Sequence, residues 1–191
     1  MRVGVLAVQG DFAAHVRALA RAGVEAFALR TASELGRADA LVLPGGESTA
    51  MLHGLAREGL EAPLRDAIAA GRPVLGTCAG AILLAREVTR PAQRSLGALD
   101  IGIERNAYGT QLDSFACTAE VDDPASELAG LECVLIRAPR IARTGAGVRV
   151  HARVKGEPAL VSAGRVFAAT FHPELTDDPR VYLAWLRSAS S

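Results

Sequence analysis

The first half of the chain alternates short, continuous apolar runs with segments of helical periodicity. The apolar runs lie at residues 2–8, 24–29, 39–46 and 73–77. Helical patterns at 48–59, 61–70 and 79–88, and one carrying Phe12, Val16 and Leu19 on a single face, separate or follow them. Strands that are apolar along their whole length are typical of parallel sheets covered on both faces. The pattern therefore predicts an α/β fold with a mostly parallel central sheet and helices on both faces.

The second half has a different pattern. Short β-like runs occur at 114–121, 131–139, 147–154, 158–163 and 165–171, separated by Gly, Pro and Asp. They predict a β-rich extension of the sheet. An amphipathic helix is predicted at 177–188, with Val181, Trp185 and Leu186 facing inward. No linker or internal repeat divides the sequence, so residues 1–191 are expected to form a single domain.

Composition excludes several classes of function. The chain has 21 basic and 21 acidic residues, which leaves no net field to bind nucleic acid or an anionic membrane. No apolar stretch approaches the roughly 20 residues of a membrane span. Three scattered cysteines provide no disulfide framework, and the four histidines lack metal-ligand spacing. We expect a soluble cytoplasmic protein with no metal and no cofactor.

The segment Gly76-Thr77-Cys78-Ala79-Gly80 joins a predicted strand to a predicted helix. Gly-x-Cys-x-Gly is the thiol counterpart of the Gly-x-Ser-x-Gly nucleophile elbow, in which a sharp turn exposes the central side chain. A buried structural cysteine is the alternative interpretation, and it is retained for Cys117 and Cys133, which lie inside β-like runs. The elbow context favours Cys78 as a nucleophile.

A cysteine nucleophile needs a base and a group that orients the base. His172 and Glu174 lie at positions i and i+2 after an apolar run. In an extended chain such side chains point to the same face, so Glu174 can hold the His172 ring in one tautomer. The two glycines of "LPGGEST" (43–49), Gly45 and Gly46, follow a third strand, where their backbone N–H groups can form an oxyanion hole. A plain turn is the alternative for these glycines.

These motifs together resemble those of a known family. "GTCAG" (76–80) and "FHPE" (171–174) are similar to the triad of class I glutamine amidotransferases. "LPGGEST" (43–49), "IERNAYG" (103–109) and "LIRAP" (135–139) narrow the resemblance to the glutaminase subunits of pyridoxal 5'-phosphate synthase. The similarity extends from about residue 3 to residue 187. It implies the flavodoxin-like fold of class I glutamine amidotransferases.

The resemblance implies an activity and a set of residues. Cys78 would attack the side-chain amide of L-glutamine and form a glutamyl thioester, His172 would transfer the protons, and Glu174 would orient His172. The oxyanion and glutamine-binding residues would be Gly45, Gly46, Glu47, Ser48, Arg105, Ile136 and Arg137. Free glutamine carries an α-carboxylate, which suits an arginine, and an α-ammonium, which suits Glu47.

The resemblance also implies a partner. The ammonia would pass to a larger, ring-forming pyridoxal 5'-phosphate synthase subunit in a hetero-oligomeric complex. Three residues depart from the usual pattern of the family: Tyr108 stands where Phe is usual, Thr110 where Arg is common, and Arg140 where His is frequent. None of the three belongs to the triad.

Three other functions remain open at this point. A glutaminase that serves another synthase, such as the one for imidazole glycerol phosphate, would share the triad, but "IERNAYG" and "LIRAP" argue against it. A cysteine peptidase of similar architecture typically has its histidine directly after the elbow cysteine, where this chain has Ala79. A non-catalytic glutamine-sensing subunit would be expected to lack a triad member. The sequence leaves open whether Gln9 and His15, near the end of the first strand, belong to the core, lie beside the site or face a partner, and the default expectation for His15 is an ordinary helix-surface histidine.

Overall fold

The computed structural model describes residues 1–105 and 114–189, and the predictions that concern Tyr108 and Thr110 lie outside the described residues. The strands are β1 Arg2–Leu6, β2 Glu25–Leu29, β3 Ala40–Leu43, β4 Val74–Thr77, β5 Ala85–Thr89, β6 Leu99–Glu104, β7 Phe115–Thr118, β8 Glu132–Leu135, β9 Arg140–Thr144, β10 Arg149–Val154, β11 Glu157–Ala163 and β12 Val166–Ala169. The helices are α1 Phe12–Arg21, α2 Ala32–Gly36, α3 Ser48–Arg57, α4 Glu61–Ala69, α5 Ala79–Leu84 and α6 Arg180–Ala189, and a short 3₁₀ turn spans Pro173–Leu175.

Seven strands form the central sheet, in the order β10-β11-β12-β4-β3-β1-β2. The five strands from β12 to β2 are mutually parallel, and β11 and β10 extend the sheet in antiparallel fashion. The prediction of a mostly parallel central sheet is confirmed. Because parallel strands end at the same edge, the residues that follow β1, β3, β4 and β12 converge there.

Side chains alternate between the two faces of this sheet and form two apolar cores. On β3, Leu41 and Leu43 pack with α3, α4 and α5, whereas Ala40 and Val42 pack with α1 and α6. This alternation explains the continuous apolar runs in the sequence, because central strands such as β3 are covered by helices on both faces. The same arrangement confirms that helices lie on both faces.

The predicted helix at 79–88 is wrong in its second part. Helix α5 ends at Leu84, and Ala85–Thr89 forms strand β5, which pairs in parallel with β6. Strand β6 in turn pairs with β9 in a separate three-stranded sheet. Ala, Arg and Glu favour helix, but pairing with a distant strand overrides that local preference.

The last helix begins later than predicted. Helix α6 starts at Arg180, whose backbone N–H donates to Asp178 Oδ1 over 3.0 Å. Of the three side chains predicted to face inward, Val181 and Trp185 are buried and Leu186 is half-buried. None of the helices described in residues 1–105 and 114–189 is long and apolar enough to span a bilayer.

Candidate active site

The elbow at Cys78 is a sharp turn in a left-handed conformation. Cys78 has φ 48° and ψ −104°, and it separates β4 from α5. Its backbone N–H donates to the carbonyl of Ala169, the last residue of β12, over 2.8 Å. A non-glycine residue in this region is strained, and such strain concentrates at functional sites.

Two glycines make this turn possible because neighbouring backbone fills the space where a side chain would lie. A Cβ on Gly76 would lie 2.6 Å from the carbonyl carbon of Gly80. A Cβ on Gly80 would overlap the carbonyl oxygen of Leu43, at the end of β3. The glycines thus let the elbow pack directly on its own helix and on the adjacent strand.

His172 lies next to this elbow, and Glu174 lies behind His172. His172 Nδ1 hydrogen-bonds Glu174 Oε1 over 2.7 Å, and only 1% of the Glu174 side chain is exposed. Because Nδ1 is occupied by the carboxylate, Nε2 is the ring nitrogen available to the thiol. It is buried and makes no other hydrogen bond within the described structure. The structure thus brings the three residues predicted as the triad into one row.

The electrostatics of this row favour a protonated His172. Burial alone lowers the pKa of the ring, but interactions with Cys78 and with the Glu174 carboxylate outweigh burial and raise the pKa to about 10. For Glu174, burial raises the pKa, but the close contacts with His15 and His172 outweigh it and lower the pKa to about 2. His172 is therefore a cation that lies between the Glu174 carboxylate and Cys78.

Cys78 and His172 open into a cavity of about 380 Å³, which is large enough for a free amino acid. Most of the residues predicted to bind substrate line it. The cavity walls are formed by Gln9, Gly46, Glu47, Ser48, Cys78, Ile82, Arg105, Ile136, Arg137, Pro139 and His172. Gly45 lies behind the wall, where a Cβ would come within 2.5 Å of His172 Cε1.

Opposite charges meet on one wall of the cavity. Arg105 Nη2 lies 3.2 Å from Glu47 Oε1 and donates to Thr49 Oγ1 over 3.0 Å. The Glu47 carboxylate also caps α3 by accepting from the backbone N–H groups of Thr49 and Ala50. Burial raises the pKa of Glu47, but these backbone hydrogen bonds outweigh it, so the net pKa is lowered. The wall therefore carries a fixed anion and an adjacent cation.

Two other predicted substrate-binding residues differ in how freely they can reach a ligand. The Ser48 side chain is almost fully buried, and its hydroxyl donates to Gln93 Oε1 over 3.0 Å. Arg137 is exposed and has φ 44°, a strained conformation for a non-glycine residue. Ile136 beside it is 37% exposed.

Arg140 lies off the cavity, where it pairs with Glu104 and Glu157 over 2.9 and 3.0 Å.

For Gln9 the sequence left open a place in the core, beside the site or facing a partner, and the structure places it in the cavity wall. Its side-chain Oε1 accepts from the backbone N–H of Glu47 over 3.0 Å, and Gly46 with φ 146° leaves no room for a Cβ against it. Gln9 follows β1, which pairs with β3 in the sheet. The signal that could have identified it is its place after a parallel strand, at the edge where the other strand ends meet.

His15 corrects a second expectation. The prediction that it lies on a helix surface is wrong, because its side chain is 0% exposed and lies 3.3 Å from Glu174 Oε2. His15 belongs to α1, a helix that supplies no residue to the cavity wall. No feature of the sequence near His15 indicated this contact.

The fold and the site together define a class I glutamine amidotransferase. The features that do so are the nucleophile elbow, the histidine held by a carboxylate and the glycine-lined segment, all on a parallel sheet. A crystal structure described as a glutamine amidotransferase superposes with a TM-score of 0.90 at 44% identity, covering 99% of each chain. The PurLQS structure from Thermotoga maritima has a TM-score of 0.67 at 20% identity over 97% of each chain, and it supports the fold alone.

The family follows from the sequence comparisons. The chain belongs to the SNO glutamine amidotransferase family, whose model matches residues 5–190. It is 51% identical to the pyridoxal 5'-phosphate synthase subunit PdxT of Solibacter usitatus, over 97% of each chain. It is 49% identical to the PdxT protein of Koribacter versatilis, over 98% of this chain and 95% of that protein.

Proposed function

We propose that this chain is the glutaminase subunit of a pyridoxal 5'-phosphate synthase and so takes part in vitamin B6 biosynthesis. The observation that carries the proposal is that Cys78 and His172 line an amino-acid-sized cavity, with Glu174 hydrogen-bonded to His172 behind it. The choice of synthase is supported by the relatives at about half identity, which are pyridoxal 5'-phosphate synthase subunits.

The reaction converts L-glutamine and water into L-glutamate and ammonia. The Cys78 thiolate attacks the carboxamide carbon, and the carbonyl π-electron pair moves onto the oxygen, where the N–H groups of the Gly45–Gly46 segment stabilise it. The tetrahedral intermediate collapses, the C–N bond breaks, and the His172 imidazolium gives its proton to the departing ammonia. Neutral His172 then takes a proton from water, which hydrolyses the glutamyl thioester and regenerates Cys78.

The cavity wall provides a basis for recognising the amino-acid end of glutamine. Arg105 and Glu47 are adjacent there, so the cation can receive the α-carboxylate and the anion the α-ammonium. Ile136 and Arg137 complete the mouth of the cavity and are proposed to contact the substrate. Gly46 and Ser48 are proposed to contact it from the segment that joins β3 to α3.

The proposed partner is the ring-forming subunit of the synthase, which receives the ammonia. Two exposed apolar side chains flank the site and suit a protein surface: Ile136 is 37% exposed and Leu175 is 46% exposed. We also propose that residues 1–191 act as a single glutaminase domain, because both halves of the chain contribute to one cavity. A cytoplasmic location is proposed, and the three free thiols suit its reducing conditions.

The test is release of glutamate from L-glutamine by the purified chain, measured alone and after mixing with the ring-forming subunit. We expect activity that rises on mixing and disappears in Cys78→Ala. The matched control is Cys117→Ala, which removes a half-buried thiol from β7 and is expected to retain activity.

Other outcomes would change the proposal in defined ways. A wild-type chain that stays inactive in both conditions would contradict the glutaminase function and favour a glutamine-sensing subunit. Full activity without any effect of the partner would retain Cys78 as the nucleophile but contradict the choice of synthase.

A further inference from the structure

His15 is a buried titratable residue that the proposed mechanism does not use. It lies on the buried face of α1 with Ala14, Ala18 and Leu19. A histidine in such a position must have partners for both ring nitrogens, since an unpaired buried polar group is costly. The partners of His15 therefore show what the residue does.

Three polar groups surround the ring, and each comes from a different element. Nδ1 lies 2.8 Å from the hydroxyl of Tyr182 on α6. Nε2 lies 3.1 Å from Thr77 Oγ1, next to the nucleophile, and 3.3 Å from Glu174 Oε2. His15 thus joins the strand that carries Cys78 to the carboxylate that holds His172.

The acceptor at Glu174 fixes the tautomer of His15. Glu174 Oε1 is paired with His172, whereas Oε2 is buried, lies 3.3 Å from His15 Nε2 and makes no well-aligned hydrogen bond among the described residues. His15 can donate towards Glu174 Oε2 only if the proton of its neutral ring is on Nε2. The Tyr182 hydroxyl then donates to Nδ1, which is consistent with a tyrosine pKa raised by burial and by Glu174. With this tautomer the Nε2–H group hydrogen-bonds Thr77 Oγ1 over 3.1 Å and has Glu174 Oε2 at 3.3 Å as a second neighbour.

We propose that His15 is a positioning residue for the reaction, and that its Nε2–H holds Glu174 Oε2 so that Oε1 remains directed at His172. The inference rests on the proposed function, because the reaction that His15 assists is glutamine hydrolysis. The position of His15 next to Glu174 is given by the contacts described above. His15 does not line the cavity, so it acts through Glu174 rather than on the substrate.

The groups around Glu174 define the expected pH dependence. His15 on α1 and His172 face the carboxylate, and Tyr182 on α6 faces it with a protonated hydroxyl. Arg21 lies further out, where its guanidinium donates to the carbonyl of Thr176. Loss of His15 removes a close contact that lowers the Glu174 pKa, so that pKa rises. A Glu174 carboxyl with a higher pKa is ionised over a narrower pH range. The His172 imidazolium is then stabilised less.

The experiment compares the full-length wild type with His15→Leu and His15→Gln, each mixed with the ring-forming subunit. We expect His15→Leu to lower kcat by about tenfold or more, the effect of one unit of pKa. KM for glutamine should stay within about twofold, because the cavity wall is unchanged. The profile of kcat against pH should narrow from both sides. His15→Gln, which keeps one N–H donor, should recover part of kcat.

A second readout needs neither glutamine nor a partner. The rate at which iodoacetamide alkylates Cys78, followed by mass spectrometry of the Cys78 peptide, reports the thiolate between pH 5 and 10. We expect the alkylation rate below pH 7 to fall in His15→Leu and to be partly restored in His15→Gln. If the wild type hydrolyses no glutamine, the proposed function fails, and this readout still tests His15.

The controls separate positioning from stability. His151→Gln alters a half-buried histidine that hydrogen-bonds Ser162 on the antiparallel side of the sheet, and it should leave kcat and alkylation unchanged. If His15→Leu fails to fold by circular dichroism, His15→Gln and Tyr182→Phe replace it, with smaller changes in the same direction. A variant at position 15 that folds and keeps the wild-type kcat, pH profile and alkylation rate would overturn the proposal.

Discussion

The two sides of the cavity are built by different means. The first half of the chain contributes Cys78, which is fixed by close approaches of backbone to backbone at Gly76 and Gly80. It also contributes the Gly45–Gly46 segment, which lies tightly against neighbouring groups. The second half contributes His172 and Glu174, which are fixed by side-chain hydrogen bonds. The comparison teaches that steric constraint places the nucleophile, whereas a buried polar network places its base.

The largest expected effect on activity comes from changing Glu174, in the buried polar network that holds His172. Glu174→Gln retains the shape of the side chain but removes the charge that stabilises the His172 imidazolium. We expect kcat to fall by about 10²- to 10⁴-fold, as for the orienting carboxylate of a serine protease. The pKa of His172, raised to about 10, should fall towards its ordinary value of 6.5. The imidazolium is then lost at lower pH, so the alkaline limb of activity moves down.

This prediction is checked by steady-state kinetics of glutamate release between pH 5 and 10.5. Glu61→Gln is a suitable control, since Glu61 pairs with Arg94 on the surface, away from the cavity. A loss of less than tenfold with an unchanged alkaline limb would show that Glu174 is not needed to hold the base.

The next effect tests whether close packing of backbone holds the elbow at Cys78. Gly80→Ala places a Cβ against the carbonyl oxygen of Leu43, a backbone atom that cannot rotate away. We expect a loss of about 3 kcal/mol or more in the free energy of unfolding, because overpacking against backbone forces β3 and α5 apart. Urea denaturation measures it, and a value under about 1 kcal/mol would show that the elbow is not held by close packing.

A smaller effect is expected where the two sides meet. Arg105 follows β6 in the second half and contacts Glu47 in the first. Arg105→Ala should raise KM for glutamine by about 10- to 100-fold, the value of a charged hydrogen bond, with less change in kcat. Arg143→Ala, which breaks an ion pair with Asp100, should leave KM unchanged. An equal loss in kcat and kcat/KM would place Arg105 in the transition state instead.

The smallest effect is the matched control for Gly80. Gly36 ends α2, has no neighbour within 4 Å of a Cβ, and does not have positive φ. Gly36→Ala should stabilise the protein by about 0.5–1 kcal/mol, because alanine loses less entropy on folding. Destabilisation of the same size as in Gly80→Ala would show that any added methyl group is harmful, which would remove the contrast between the two glycines.

The same division explains what the sequence could predict of the fold. Strands β1 to β4 were identified because each lies in a short apolar run of the alternating first half of the chain. Strand β5 was taken for helix because Ala85, Arg86 and Glu87 favour helix locally, and only pairing with β6 makes them extended. Strands β6 and β9 were missed for the same reason, since their partners are distant in sequence.

Site residues that belong to local motifs could be predicted from the sequence. Those that join the site only through long-range contacts could not. The elbow and the His-x-Glu spacing indicated Cys78, His172 and Glu174, which the structure places together, and their catalytic roles remain predictions. His15 could not be found in this way. Its partner Tyr182 is 167 positions away and its partner Thr77 is 62 positions away, so no local pattern contains the contact.

The position of β12 in the sheet has a consequence for the newly synthesised chain. Strand β12 lies between β4 and β11, although β4 leaves the ribosome long before it. Until β12 is added, β4 is an open edge that can pair with other strands, and the cysteine after it has no base. We expect the nascent chain to be at its most vulnerable to misassembly in that interval. Insertion of one late strand closes the edge and delivers the histidine, so the chain gains its chemistry and loses its exposed edge in the same event.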